Sequence, residues 1–129
     1  MEKRQNYSQK REAIYRAICS SACHPSAEWL LTTLKRDYPD LSLGTVYRNI
    51  ARFKEQGAVV AVAVVNGQER IDANVEPHMH FICRGCGAVL DIEGELADDA
   101  SLAQIEQRYG LKVESQNLLL YGMCAECRK

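Results

Sequence analysis

The sequence predicts an α+β protein in which a helical N-terminal domain carrying a β-hairpin precedes a small α/β domain. Apolar residues recur at helical spacing as far as Gly57, and a valine-rich run follows immediately. Two C-x-x-C pairs then stand near the two ends of the remaining chain, at residues 83–86 and 124–127. We expect an N-terminal domain, a linker and a C-terminal domain at residues 1–73, 74–77 and 78–129.

Three helices are predicted in the first domain. Each follows a serine whose hydroxyl can cap the first turn, and these N-caps are Ser8, Ser26 and Ser42. The helices are expected to end at about residue 21, at Tyr38-Pro39 and at Gln56, with Gly57 closing the third. Their apolar faces are expected to form the core: Ile14, Ala17 and Ile18, then Leu30, Leu31 and Leu34, then Val46, Ile50 and Phe53.

A β-hairpin is predicted directly after the third helix. Residues 58–65 are rich in valine, Asn66-Gly67 favours a two-residue hairpin turn, and residues 68–73 supply the return strand. Three helices followed by a hairpin are typical of a winged helix-turn-helix.

The polar face of the third helix favours DNA as a partner. Its candidate DNA-binding residues are Thr45, Tyr47, Arg48, Asn49 and Arg52. Side chains of these types contact base edges and phosphates when a recognition helix enters a major groove. A solvated face with two arginines is the commoner meaning of such a pattern, but the hairpin that follows favours a recognition helix binding double-stranded DNA.

Charge is distributed unevenly, although the net charge is −1. Residues 1–57 carry ten Lys and Arg against six Asp and Glu, whereas residues 58–129 carry six against eleven. A basic first half suits a polyanion, and an acidic second half with His and Cys suits cations. Chance fluctuation in a small protein is the alternative explanation.

The sequence also predicts a cytoplasmic protein. No apolar run approaches the roughly 20 residues that cross a bilayer, and residues 1–12 lack the apolar core of a signal peptide. In the cytoplasm, paired C-x-x-C motifs favour zinc over disulfides.

The second domain is predicted to hold a small sheet. We expect strands at residues 80–83 and 88–93, a helix at about 95–109 and a last strand over residues 111–124. The apolar points of the helix are Leu96, Leu102 and Ile105. Because the edges of so small a sheet would be exposed in a monomer, we expect a homodimer.

The stretch HMHFICRGCG, residues 78–87, joins two candidate metal sites. The two C-x-x-C pairs supply four thiolates, enough for a closed tetrahedral zinc site of the structural kind. Its ligands are Cys83, Cys86, Cys124 and Cys127. His78 and His80 are two apart in a strand, so they share a face and can bind a different ion. Of the two remaining cysteines, Cys19 is expected in the core and Cys23 in a loop.

Four stretches occur in the order and spacing of a known family: HPSAEWL, GTVYRNIARFKEQG, HMHFICRGCG and YGMCAEC. The chain resembles the ferric uptake regulator (Fur) family from about Tyr7 to Cys127. The resemblance implies a dimeric, metal-dependent DNA-binding repressor, not an enzyme, with an N-terminal winged helix and a C-terminal dimerisation domain. It implies operator DNA with inverted-repeat half-sites.

Within that family the chain is most similar to the peroxide-responsive branch, whose regulatory site contains three histidines and two aspartates. The matching positions are His24, Asp72, His78, His80 and Asp91. Iron-uptake members usually carry Glu where this chain has Asp72 and Asp91, so these two carboxylates discriminate the branch. The resemblance implies Fe(II) or Mn(II) as regulatory metal and peroxide sensing through oxidation of His24 or His78.

Gln116 departs from the family pattern. Many relatives carry a further histidine near this position as part of an accessory metal site, and glutamine is a poor ligand. We therefore expect no accessory site, and we interpret nearby acidic residues as a solvated face: Glu93, Glu95 and Asp98.

Three alternatives remain open. A regulator of the same family can report iron, manganese or zinc sufficiency instead of peroxide. The His/Asp site can belong to a small non-haem iron enzyme, or the cysteines to a zinc-ribbon interaction module that binds no DNA. The basic TVYR helix is unexplained by the last two, and only a regulator binds DNA in a metal-dependent way.

Overall fold

The computed structural model describes residues 2–21, 23–76, 78–94 and 96–129, with side chains from Tyr7 onward. Pro77 of the predicted linker and Glu95 of the predicted acidic face lie outside the described residues. The chain divides into two compact units, Met1–Val75 and Glu76–Lys129. No helix in the described ranges combines the length and the apolar character needed to cross a membrane.

Three helices fill most of the first unit: α1 Glu2–Ser20, α2 Ala27–Leu34 and α3 Leu43–Glu55. Two predicted N-caps are confirmed, because Ser26 Oγ accepts from the Trp29 amide at 3.1 Å and Ser42 Oγ from the Thr45 amide at 3.2 Å. The third helix ends as predicted, since Gly57 follows it with a φ of 73°.

The predicted start of the first helix was wrong, because Ser8 lies inside α1 and is exposed. Apolar periodicity begins only at Ile14, so the pattern placed the boundary too late. Residues 2–7 contain neither glycine nor proline and include several good helix formers, and local propensity therefore extends the helix toward the N-terminus.

The apolar faces of the three helices meet in one core, as predicted. Its helical members, all 5% exposed or less, include Ile14, Ile18, Leu30, Val46, Ile50 and Phe53. Cys23 is exposed in the loop after α1, as expected, but Cys19 is also exposed, so its expected place in the core was wrong. Cys19 follows Ile18 directly, and one residue along a helix turns the side chain by about 100° away from the buried stripe.

The hairpin is confirmed as two antiparallel strands, β1 Val60–Val65 and β2 Gln68–Asp72. The turn residues Asn66 and Gly67 both have positive φ, 54° and 76°, as a tight two-residue hairpin requires. Ile71 is 1% exposed and belongs to the helical core, so β2 packs against the helices.

The second unit contains a three-stranded sheet in the order β4-β3-β5 and one helix. Its elements are β3 Met79–Cys83, β4 Val89–Ile92, α4 Asp99–Tyr109 and β5 Leu118–Gly122. The central strand pairs antiparallel with β4 and parallel with β5. The mixed architecture of helices and hairpin followed by a small sheet confirms the predicted α+β class.

Two boundaries in this unit were predicted wrongly. α4 begins at Asp99 rather than at about residue 95, because Asp98 caps it and accepts from the Ser101 amide at 2.8 Å. The last strand covers only Leu118–Gly122, whereas 111–124 was expected. Within residues 111–117 the Val113 amide donates to the side chain of Glu106 at 2.9 Å, instead of to a neighbouring strand.

Candidate metal centres and DNA-binding helix

The four cysteines of the two knuckles come together at one end of the sheet. Pairing of Cys83 with Gly122 in the β3–β5 register brings the segment after β5 beside the knuckle after β3. All four Sγ atoms lie within 4.8 Å of one another, and those of Cys86 and Cys124 are 3.8 Å apart. A tetrahedron with zinc–sulfur bonds of about 2.3 Å has edges of about 3.8 Å, so these thiols fit a zinc ion.

Glycine is required within the first knuckle. A Cβ added to Gly85 would lie 2.9 Å from Met123 Cε and 3.0 Å from Cys127 Sγ. The two knuckles therefore pack with no room for a side chain at this position. Gly87 has a φ of 76°, in the left-handed region that glycine adopts at least cost.

Backbone amides favour the thiolate of Cys83. The Cys124, Cys86 and Gly85 amides donate to its Sγ at 3.3, 3.4 and 3.3 Å. They lower the pKa of Cys83 to about 6, whereas the neighbouring thiols, Cys124 first, raise the pKa of Cys127 to about 12. A divalent cation among these sulfurs replaces the protons and offsets the repulsion between thiolates.

The first unit holds one half of the predicted His/Asp set. His24 Nε2 lies 3.2 Å from Asp72 Oδ2, and the two side chains are 5% and 13% exposed. The other carboxylate oxygen of Asp72 accepts from the Asn74 amide at 2.9 Å. A buried imidazole facing an oriented carboxylate is a suitable pair of ligands for a divalent metal.

The second unit holds the other half. His78 Nε2 and His80 Nε2 lie 3.0 and 3.2 Å from the same atom, Asp91 Oδ1. His78 Nδ1 lies 2.7 Å from Glu76 O, which can only accept, so this contact is a hydrogen bond when Nδ1 carries the proton. In that tautomer a neutral ring presents a lone pair at Nε2 to a carboxylate oxygen. This arrangement needs a positive charge, as a second ring proton or as a bound cation, and its donor set fits Fe(II) or Mn(II).

Register explains how Asp91 reaches both rings. His80 and Asp91 are cross-strand partners in the β3–β4 pair, and His78 stands two residues before His80 on the same side. The rings of His78 and His80 have centroids 4.1 Å apart. Within each unit, the structure thus brings the predicted ligands together.

The predicted DNA-binding residues occupy α3, with Tyr47, Arg48 and Arg52 exposed and Thr45 and Asn49 half-buried. Asn49 Nδ2 donates to the Thr45 carbonyl at 2.9 Å, so part of its hydrogen-bonding capacity is used within the helix. Arg48 likewise donates from Nη2 to Thr45 Oγ1 at 3.1 Å.

Tyr47 has a partner that the sequence did not reveal. Its hydroxyl donates to Glu28 Oε1 on α2 at 2.6 Å, and this bond raises the pKa of Tyr47. Glu28 and Tyr47 are 19 residues apart, and no local pattern relates them.

The profile of the ferric uptake regulator family matches residues 2–121. The chain belongs to the ferric uptake regulator family. It is 33% identical over 120 residues to the peroxide-responsive repressor PerR of Staphylococcus aureus, which covers 92% of this chain and 80% of that protein. Members of this family are transcription regulators.

Two solved structures of regulators extend the comparison. The peroxide stress regulator of Campylobacter jejuni superposes with a TM-score of 0.74 at 28% identity, over 98% of this chain and 94% of that one. A zinc uptake regulator complexed with zinc and DNA gives a TM-score of 0.67 at 25% identity, over 92% and 81%. The predicted resemblance to the ferric uptake regulator family is therefore confirmed.

Arg70 is a second residue that sequence reasoning missed. Its Nε donates to the carbonyl of His24, and its Nη2 donates to the carbonyl of Cys23. Its place two residues before Asp72 on a predicted strand was an available signal, because such residues share a face.

Gln116 has a structural role in this member of the ferric uptake regulator family. Its amide accepts from Ala97 N–H and donates to Ala97 O, both at 2.9 Å. The side chain thereby joins the segment before α4 to the segment before β5. Nearby, Asp98 is exposed, as expected, and serves as the N-cap of α4.

Proposed function

We propose that this protein is a dimeric, metal-dependent transcriptional repressor that senses peroxide. The observation that carries the proposal is the convergence of His78 and His80 on one oxygen of Asp91, an arrangement that a bound cation would stabilise. The 33% identity with a peroxide-responsive repressor supports the choice of signal. So does aspartate, rather than glutamate, at positions 72 and 91.

The regulatory ligands in this proposal are the two histidine–aspartate groups: His24, Asp72, His78, His80 and Asp91. We propose that both groups serve one Fe(II) or Mn(II), so that binding of the ion is coupled to the DNA-binding unit. The family resemblance and the ligand chemistry of each group support a shared ion, since imidazole and carboxylate suit these metals better than thiolate does.

Each group of residues has a definite task. Asp72 and Asp91 orient the rings of their histidines and supply negative charge. The imidazole of His24 or His78 would take one oxygen atom from peroxide, the two-electron oxidant, and the other oxygen would leave as water. Fe(II), when bound, supplies one-electron cleavage of peroxide. An oxidised imidazole is a poorer ligand, so the regulatory metal is released. Repression ends because DNA binding depends on that metal.

The cysteine cluster has a different role in the proposal. Zn2+ held by Cys83, Cys86, Cys124 and Cys127 stabilises the second unit and leaves no coordination position for a substrate. Its binding free energy contributes directly to folding.

The second unit is proposed as the dimerisation domain. α4 has no buried residue among those described, and Leu90, Ile105, Leu118 and Leu120 are 41–44% exposed on the helix and sheet. Three exposed leucines and one exposed isoleucine on so small a unit support a protein partner, and a second copy is the partner that family resemblance supplies.

The first unit is proposed as the DNA-binding domain, acting in the cytoplasm. Two copies of α3 in a dimer would meet half-sites about one helical turn apart, or a multiple of it, which matches an inverted-repeat operator. Arg48 and Arg52 would supply phosphate or base contacts.

A gel-shift titration tests the proposal. Zinc-loaded protein should bind operator DNA with Mn(II) or Fe(II) and release it after the regulatory metal is removed. Peroxide should release the Fe(II)-loaded protein and add oxygen mass to peptides containing His24 or His78, but leave the Mn(II)-loaded protein bound. Metal-dependent binding that peroxide does not reverse would instead identify a regulator of metal sufficiency. DNA binding that does not depend on the metal would contradict both the peroxide-sensing role and the metal-sufficiency role.

A further inference from the structure

We infer that Arg70 is a positioning residue for the regulatory metal, because its guanidinium fastens the loop that presents His24. One planar side chain donates from Nε to the carbonyl of His24 and from Nη2 to the carbonyl of Cys23. The rigid, planar guanidinium of Arg70 thus binds two consecutive backbone carbonyls. The inference rests on the proposed function, since it concerns the same site.

The backbone of this loop explains why such a fastening matters. His24 has a φ of 54°, in the left-handed region that a non-glycine residue rarely adopts. Its ring is nevertheless buried and lies 3.2 Å from Asp72. The loop is also joined to β2 by the Ile71 amide, which donates to Pro25 O at 3.0 Å. These bonds hold residues 23–25 against β2.

Strand β2 carries both the proposed ligand Asp72 and the residue that holds the His24 loop, Arg70. Asp72 faces the imidazole of His24, and Arg70, two residues earlier, holds the backbone that carries this imidazole. Any displacement of the loop would change the separation between Nε2 of His24 and the carboxylate. Outer residues that orient a metal ligand in this way commonly matter for metal affinity.

The positive charge of Arg70 and its hydrogen bonds to the loop should change metal affinity in opposite directions, so substitutions can separate the two. A guanidinium near a divalent cation repels it, so removal of the charge alone would tighten metal binding. Loss of positioning predicts weaker binding instead. Arg70→Gln removes both the charge and the guanidinium. Arg70→Lys keeps the charge, but its compact ammonium cannot donate to both carbonyls in the same planar geometry.

The test is a calorimetric titration of Mn2+ into the zinc-loaded full-length protein. Both Arg70→Gln and Arg70→Lys should weaken Mn2+ binding by at least about tenfold. Zinc content should stay near that of the wild type, and the melting temperature of the Mn-free protein should fall only modestly, because two hydrogen bonds are lost. Glu69→Gln is the matched control, because Glu69 neighbours Arg70 on β2 but its carboxylate pairs with Lys54 on α3. Its Mn2+ affinity should be unchanged.

A double-mutant cycle with His24→Ala separates positioning from general destabilisation. Once His24 no longer carries an imidazole, Arg70→Gln should cause no further loss of Mn2+ affinity. A purely structural Arg70 would weaken Mn2+ binding by a similar factor in both backgrounds, and that result overturns the inference.

Unchanged or tighter Mn2+ binding by Arg70→Gln also overturns it. Should that variant fail to fold, Arg70→Lys decides by the same criterion. If His24→Ala binds Mn2+ as tightly as the wild type does, His24 is not a ligand. That result would refute the proposed function, and the inference with it.

Discussion

The two candidate metal sites differ in how the fold supplies their ligands. The four cysteines belong to one unit, where the pairing of β3 with β5 and two tight knuckles bring the sulfurs within 4.8 Å. The histidines and aspartates are divided between two units. Burial does not separate the two sets, because Cys86 is exposed while the His24 and His80 side chains are 5% exposed. The separation lies in the chain: ligands held within one sheet suit permanent stabilisation, and ligands supplied by two units suit reversible binding.

Replacement of Cys83 by Ser is expected to have the largest effect. Loss of one thiolate should remove zinc, break the dimer and lower the free energy of unfolding by several kcal/mol, because structural zinc contributes its binding energy to folding. Metal analysis, ultracentrifugation and chemical denaturation measure these three effects. Exposed Cys19→Ser is the control and should keep zinc. A soluble, dimeric, zinc-free Cys83→Ser protein would refute the structural role.

His78→Ala should separate the two sites most clearly. The variant should keep zinc, fold and dimer but bind Mn(II) more than about 100-fold more weakly, beyond the range expected for loss of an outer partner. Operator binding should then no longer respond to Mn(II) in a gel shift. Glu93→Ala on the exposed segment after β4 is the control. Loss of zinc from His78→Ala would show that the two sites are not independent.

Sequence patterns were sufficient where one local rule determines the structure. Helix caps at Ser26 and Ser42, the turn at Asn66-Gly67 and the buried stripe of α3 each follow from spacing within a few residues. The pairing of His80 with Asp91 was implied by family resemblance, and strand register accounts for it.

Long-range and non-periodic features escaped prediction. The bond between Tyr47 and Glu28 joins two helices, and the bonds from Arg70 to the Cys23–His24 backbone span more than 40 residues. The Tyr47–Glu28 bond leaves no periodic trace in the sequence, and the strand spacing of Arg70 and Asp72 does not reveal the loop that Arg70 binds. The shortened β5 has the same origin, because Glu106 binds the Val113 backbone where a strand partner was expected.

Arg48→Ala tests the DNA-binding unit while leaving both metal sites intact. If Arg48 contacts a base, the loss should be about 1–3 kcal/mol and confined to one operator position; a phosphate contact instead weakens all sequences and lowers the salt dependence. Fluorescence anisotropy with single-base operator variants measures both. Arg16→Ala on α1 serves as the control. Unchanged binding by Arg48→Ala and by Arg52→Ala would contradict the assignment of α3.

Asp91→Glu is expected to have the smallest effect on metal binding and yet to change the response to peroxide. Glutamate keeps the carboxylate but moves it by about 1.5 Å, one carbon–carbon bond, away from the place where Asp91 Oδ1 meets both rings. Mn(II) affinity should therefore stay within about tenfold of the wild type, with zinc and dimer unchanged. Oxygen incorporation at His24 or His78 should fall, because reactivity depends on ligand geometry more steeply than binding does.

Mass spectrometry of the Fe(II)-loaded protein after peroxide measures that difference, and the Mn(II)-loaded wild type supplies the unoxidised reference. Equal oxidation of wild type and Asp91→Glu would remove the reason for distinguishing aspartate from glutamate at this position. Oxidation confined to the four zinc cysteines would reverse the comparison of the two sites. The closed site would then be the sensor, and ejection of zinc rather than damage to a histidine would end repression.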